Sequence, residues 1–233
     1  MTIAIEKLAA SYRQGQHVLA DIDLTVDAGR MVLVLGHNGA GKTTLLNCVY
    51  GIHNLSGGRV TLDGQPLAAG TQSRTEHGIA FIPSEHACFM GLTVTENLLV
   101  AASAVRSDKT ARAQAIENAF SNFPALKDKR AALAGSLSGG QRRMLAVGMA
   151  IAQQPRYLLM DEPSLGLAPR IVEDLYESIA KLRVEMNLGV VVVEQSVNPT
   201  LLRADAVHVI RTGRQVFSGT GEDFARQDLW ELL

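Results

Sequence analysis

Three short runs carry the side chains able to do chemistry. The first, "GHNGAGKT" from Gly36 to Thr43, fits the eight-position pattern Gly-x4-Gly-Lys-Ser/Thr and follows the apolar run "MVLVL". Gly39 and Gly41 free the backbone to curl. The N–H groups along Gly36, His37, Asn38, Gly39, Ala40 and Gly41, and on into Lys42, Thr43 and Thr44, then converge on phosphate oxygens at a helix N-terminus. Lys42 is placed to reach the β- and γ-phosphates, and Thr43 to put its hydroxyl on Mg²⁺. This motif says only that a nucleotide is bound, and it fits a GTPase, a kinase or an ATPase equally well.

The second run, "RYLLMDEP" at 156 to 163, sets Asp161 and Glu162 at the end of an apolar strand. In parallel α/β sheets ligands bind at that edge. Asp161 suits Mg²⁺, directly or through water, which leaves Glu162 to polarise an attacking water as general base. An acidic strand end that caps a helix or meets solvent is the plainer alternative. The third run, "LSGGQRR" at 137 to 143, has Ser138, Gly139 and Gly140 opening the apolar helix "RMLAVGMAIA", so a hydroxyl, bare N–H groups and a helix N-terminus point at a second anion. A chain that already has one cradle uses a second most simply on the nucleotide of a neighbouring subunit.

The elements that must position these groups alternate between strand and helix patterns. Residues 2–9, 18–26, 31–35 and 59–64 read as strands, punctuated by Gly29 and a Gly57-Gly58 turn. From Thr95 to about Ala134 the chain is rich in Ala, Lys, Arg and Glu, which predicts an inserted helical region. Then "RYLLM", "GVVVV" and "DAVHVI" read as three strands, with a long helix at about 170–187 between the first two. The valine run reads as a strand buried on both faces that presents Glu194 and Gln195 where the sheet meets solvent.

The length of 233 residues suits one large domain or a core with a subdomain. Lys+Arg 22 against Asp+Glu 23 leaves a net charge of −1, so no basic field calls for nucleic acid or anionic lipid. No run approaches the roughly 18 apolar residues of a membrane span, and Glu6 and Lys7 interrupt the N-terminus, which predicts a soluble, cytosolic chain. Cys48 and Cys88 are too few for a zinc pattern and are expected to be reduced packing residues.

With the phosphate loop, the Asp161-Glu162 pair and "LSGGQRR" together, the chain resembles the ATP-binding subunit of ABC transporters over essentially its whole length. That resemblance implies an α/β fold: a P-loop NTPase core of the ABC ATPase type (about 1–84 and 154–233), an N-terminal antiparallel β-subdomain and a helical signature subdomain (about 85–153). It implies ATP and Mg²⁺ as ligands and a head-to-tail dimer. In that dimer Ser138, Gly139, Gly140 and Gln141 of one subunit close on ATP held by the other's phosphate loop. Tyr12 matches the family's aromatic that stacks on adenine; an aromatic packing into a strand is the alternative. Within the family, "DEPSLGLAP", "VVVVEQ" and "LTVTENL" are similar to one of the two ATPases of branched-chain amino acid uptake systems. Urea and other small-solute systems, or a weakly hydrolysing regulatory subunit, stay open. The implied partners are transmembrane permease subunits, a second ATPase subunit (or a second copy of this chain) and, indirectly, a solute-binding protein. The implied place is peripheral, on the cytoplasmic face of the membrane.

The chain departs from the family pattern at three positions. Ser84 stands after Pro83 where relatives carry Gln or Glu, so either water bridges Ser84 to Mg²⁺ or Glu85 supplies the longer side chain. Ala168 stands where many relatives have Asp. Gln195 replaces a histidine that contacts the γ-phosphate and the attacking water; it keeps an amide donor and acceptor but cannot titrate near neutral pH. His37 falls at a variable position of the loop and is given no catalytic role. Glu162, Gln195 and Lys42 are the catalytic candidates, and Thr43, Asp161 and Ser84 the candidates for metal.

Overall fold

A computed structural model describes residues 1–13, 16–197 and 204–227. The chain opens with two long antiparallel strands, β1 (Thr2–Arg13) and β2 (Gln16–Asp27), followed by β3 (Met31–Leu35) and, across the phosphate loop, α1 (Lys42–Tyr50). Next come β4 (Gly57–Leu62), β5 (Gln65–Pro66), α2 (Thr71–Glu76) and β6 (Ile79–Ile82). The helical stretch holds α3 (Val94–Ser103), α4 (Lys109–Asn122), α5 (Pro124–Lys127) and, after a 3-10 turn, α6 (Gly139–Ala152). It is followed by β7 (Tyr157–Asp161), α7 (Pro169–Met186), β8 (Gly189–Glu194), β9 (Ala206–Arg211), β10 (Arg214–Gly219) and α8 (Gly221–Ala225).

Two sheets result. An antiparallel one runs β2-β1-β4-β5, and a six-stranded one runs β10-β9-β3-β8-β7-β6. In the second, β9, β3, β8, β7 and β6 are parallel, while β10 folds back antiparallel on β9. The valine run is its middle. Val190 and Val192 face a core shared with α3, α4, α6 and α7, whereas Val191 and Val193 face the antiparallel sheet and α1. Burial on both faces is why this strand shows no polar alternation, and each fully buried valine contributes about 1.5–3 kcal/mol.

Local sequence explains the helix limits. Thr93 with Glu96, and Ser138 with Gln141, form reciprocal capping boxes that start α3 and α6. The α7 helix starts at Pro169 behind Ala168, which offers no side-chain cap, and stops at Asn187 in a left-handed conformation.

Two sequence expectations need correction. Gly57 and Gly58 lie inside β4 rather than in a turn; Gly58, at φ 75°, sits against the Glu6 and Lys7 carbonyls where the β1–β4 register shifts. The glycines therefore serve a bulge, which period-2 pattern reading does not distinguish from a turn. Glu194 does not meet solvent: it is 2% exposed, and only Gln195 emerges from the edge.

Candidate functional site

The strands β3, β8 and β7 end side by side, with Leu35 paired to Glu194 and Asp161 to Val193, so the phosphate loop, Gln195 and the Asp161-Glu162 pair all leave the same sheet edge. Gly36 is buried, and a Cβ there would strike the Ile210 carbonyl. Gly41 has φ 106° and caps α1 with no side-chain acceptor, which leaves the first N–H groups of that helix for an anion. His37, Asn38 and Gly39 form the exposed rim, and Ala40 is buried.

The loop is strapped from the far end of the chain. In the β9–β10 turn, the Gly213 N–H donates to the Ala40 carbonyl (3.0 Å) and the Gly213 carbonyl accepts from Ala20 of β2 (2.8 Å). Gly213 has φ 75° and packs so closely on Val18 that no Cβ fits.

Lys42 is 4% exposed and reaches back over the loop. Its Nζ donates to the carbonyls of Gly36 (2.8 Å) and His37 (3.1 Å) and lies 3.1 Å from Glu162 Oε1. Thr43 Oγ1 donates to Asp161, 2.9 Å from Oδ2 and 3.2 Å from Oδ1. Burial raises the pKa of Asp161, opposed by the Thr43 hydrogen bond; Glu162 raises it further, while Lys42 and the Ser84 side chain lower it. A cation would relieve that burial cost. A hydroxyl beside a buried carboxylate, both hard oxygen donors, fits Mg²⁺ completed by water and phosphate rather than a cage made only of protein ligands.

Glu162 sits in the left-handed region at φ 44°, its N–H fixed to the Val193 carbonyl (2.9 Å). A non-glycine residue held there marks a backbone constrained by its surroundings. Tyr12 is 59% exposed beside the loop: its hydroxyl is 3.2 Å from Thr44 Oγ1, and its ring is 4.5 Å from that of His53. It is therefore not packed into the sheet. Ser84 is half-buried, and its backbone carbonyl accepts from Arg143 Nη2 (3.0 Å). Glu85, by contrast, is exposed and faces His86 at 4.0 Å, so the longer side chain does not point to the site.

Ser138, Gly139, Gly140 and Gln141 gather elsewhere. Among the described residues Ser138 and Gln141 bond to each other in the capping box, and none of the four bonds to the phosphate loop of the same chain. Gly140 packs on α7, where a Cβ would come within 2.5 Å of Ile171 Cγ2. Ala168, at the N-cap of α7, offers no acceptor.

Three residues here, Tyr176, Ser164 and Arg143, escaped sequence reasoning, and a fourth, Glu194, was expected at the solvent edge. Glu194 Oε1 accepts from the Tyr176 hydroxyl (2.7 Å) and from the Ser164 N–H (3.0 Å), which pins the loop after Glu162. Burial raises the pKa of Glu194 and, strongly, that of Tyr176. Arg143 Nη1 and Nη2 bind the carbonyls of Pro83 (3.2 Å) and Ser84 (3.0 Å). Arg143 stands three, four and seven residues before the buried Ala146, Val147 and Ala150, and a charge on a buried stripe was the available signal.

The family model described as ABC transporter matches residues 19–165. The chain is 36% identical to a probable branched-chain amino acid transport ATP-binding protein, LivF, of Archaeoglobus fulgidus, over 97% of this chain and 95% of that protein. It is 38% identical to the high-affinity branched-chain amino acid transport ATP-binding protein BraG of Pseudomonas aeruginosa, over 94% and 93%. It is also 34% identical to the lipopolysaccharide export system ATP-binding protein LptB of Haemophilus influenzae, over 94% and 91%. The structure of cbiO1 from Clostridium perfringens, part of the ABC transporter complex cbiONQ, superposes with a TM-score of 0.85 at 25% identity, covering 96% of this chain and 90% of that one.

Proposed function

Because the chain belongs to the ABC transporter family as an ATP-binding, ATP-hydrolysing subunit, we propose that it powers uptake of branched-chain amino acids through a membrane permease. The observation that carries the motor is the meeting of Lys42, Thr43, Asp161 and Glu162 at one sheet edge. Adenine stacks on the exposed ring of Tyr12, and the phosphates lie over the N–H groups from Gly36 to Thr44. Lys42 leaves Glu162 for the β- and γ-phosphates, which frees that carboxylate to take a proton from the attacking water. Thr43 and Asp161, with Ser84 nearby, are the residues that would hold Mg²⁺, which would supply charge neutralisation on the phosphate oxygens. Gln195, exposed beyond β8, orients water through its amide and transfers no proton. Ser138, Gly139, Gly140 and Gln141, which among the described residues make no bond to their own loop, close on ATP in a second ATPase subunit. Contacts from two subunits exist only in the closed pair, so ATP favours closure and hydrolysis releases it. No helix among the described residues is long and apolar enough to cross a membrane, which supports a peripheral place against separate permease subunits on the cytoplasmic face.

Likeness to LptB supports a second reading, an export motor. Reconstitution with its permease subunits in vesicles separates the two. Import predicts ATP-dependent uptake of leucine, isoleucine or valine that stops with Glu162→Gln. Absence of uptake, with ATP turnover instead stimulated by lipopolysaccharide components, would overturn it.

A further inference from the structure

Tyr12 is held at its tip and along one face. Its hydroxyl lies 3.2 Å from Thr44 Oγ1 in the first turn of α1, and its ring centroid is 4.5 Å from that of His53, the planes tilted by 35°. His53 belongs to the loop that leaves the other end of α1. Gly51 stops that helix in a left-handed conformation, the Ile52 and His53 N–H groups both donate to the Asn47 carbonyl (2.8 and 3.1 Å), and the Ser56 N–H donates to the Ala9 carbonyl of β1 (2.8 Å). The loop is thereby tied to the helix at one end and to the strand that carries Tyr12 at the other. His53 is half-buried, and its Nε2, shut off from solvent, has no hydrogen-bond partner among the described residues. A buried nitrogen without a partner costs stability, so what seats this imidazole is its flat face rather than a polar bond. Tyr12 is still 59% exposed. A ring packed on one side and open on the other is a preformed platform, because a side chain already immobilised has less freedom to lose when a flat ligand arrives.

We propose that His53 is a positioning residue for the nucleobase: it fills the inner face of Tyr12, so that adenine, Tyr12 and His53 form a three-layer stack whose middle ring is fixed before ATP arrives. This rests on the reading of Tyr12 as the ring that meets adenine. His53 leaves the C-terminal end of α1, whereas the phosphates lie at its N-terminal end, so its effect falls on the base and not on the phosphates.

The test titrates the full-length subunit by calorimetry in EDTA with two probes, ATP and inorganic tripolyphosphate. The ratio of their affinities is the advantage conferred by the nucleoside. His53→Ala should lower that advantage about three- to tenfold while tripolyphosphate affinity stays within about twofold of the parent, as loss of one aromatic pair predicts. His53→Phe keeps a flat face and removes the unpaired nitrogen, so it should retain the parent's advantage within about twofold. His53→Leu, which keeps bulk without a flat face, should lower the advantage about threefold, and it carries the test if His53→Ala does not fold. Tyr12→Ala should lower it about tenfold or more, and if His53 acts through Tyr12, adding His53→Ala should lower it no further. An undiminished advantage in His53→Ala and His53→Leu, an equal loss of tripolyphosphate affinity, a loss in His53→Phe as large as in His53→Ala, or effects that multiply in the double variant would overturn the proposal. Tyr12→Ala with the full ATP advantage overturns the adenine reading itself; a loss there with none in the His53 variants overturns the positioning role alone.

Discussion

Replacing Glu162 by glutamine tests whether Lys42 is shared between the catalytic carboxylate and the phosphates. The two groups are 3.1 Å apart, with side chains 4% and 15% exposed. At an effective dielectric constant of about 20, unit charges at that separation attract by about 5 kcal/mol. Desolvation of both ions offsets much of this, and the net value of a charge-assisted hydrogen bond is about 1.5–3 kcal/mol. Glutamine keeps the size and removes the charge. If ATP must break this pair to recruit Lys42, Glu162→Gln should tighten ATP binding about 10- to 100-fold. Calorimetric titration of the isolated subunit in EDTA, at concentrations that keep it monomeric, excludes hydrolysis and dimer closure from the measured affinity. ADP should tighten in parallel, because its β-phosphate also recruits Lys42. Tightening for ATP alone would point instead to repulsion between Glu162 and the γ-phosphate, and an ATP affinity within about twofold of the parent would refute the competition outright.

Three further outcomes follow from the same structure. Ala168→Asp supplies the missing N-cap acceptor of α7 and should raise unfolding stability by about 0.5–2 kcal/mol in a urea titration. Gln195→His should introduce a pH dependence of turnover centred near the ordinary histidine pKa of about 6.5, with nucleotide affinity little changed. A flat pH profile with weakened binding would make Gln195 a binding residue instead. Glu194 has a folded-state pKa above its unfolded one, so its ionisation costs stability as pH rises from about 4.3 through the raised value. Glu194→Gln, whose amide oxygen can accept from both Tyr176 and Ser164, should therefore be more stable than the parent at pH 8, with the gain vanishing in acid.

What the sequence made legible was local. Gly36 to Thr43 fixes a loop through nearest-neighbour backbone chemistry, so its spacing alone placed it between β3 and α1. The capping box at Ser138 and Gln141 is local in the same way. Glu194 was misread because it is covered by Tyr176, 18 residues earlier on α7, whose apolar face is legible from its spacing but whose seat against β8 is not. Arg143 and Ser84 lie 59 residues apart, and their contact depends on how α6 crosses the end of β6. The strand read at "DAVHVI" is β9, but its return strand β10, whose exposed and half-buried positions alternate on the sheet's outer edge, was not read. Tertiary partners, rather than propensity, decided each of these.

The clasp of Gly213 on Ala40 has a consequence for synthesis. The phosphate loop and the Asp161-Glu162 pair are synthesised well before Gly213, and the match to the family model ends at residue 165. A nascent chain halted after β8 would hold the full set of phosphate-binding and catalytic groups with the loop still unclasped. Binding competence should therefore appear late in translation, when the β9–β10 turn emerges. Shortened versions of this subunit made to isolate its nucleotide site must run at least through β10 to retain it.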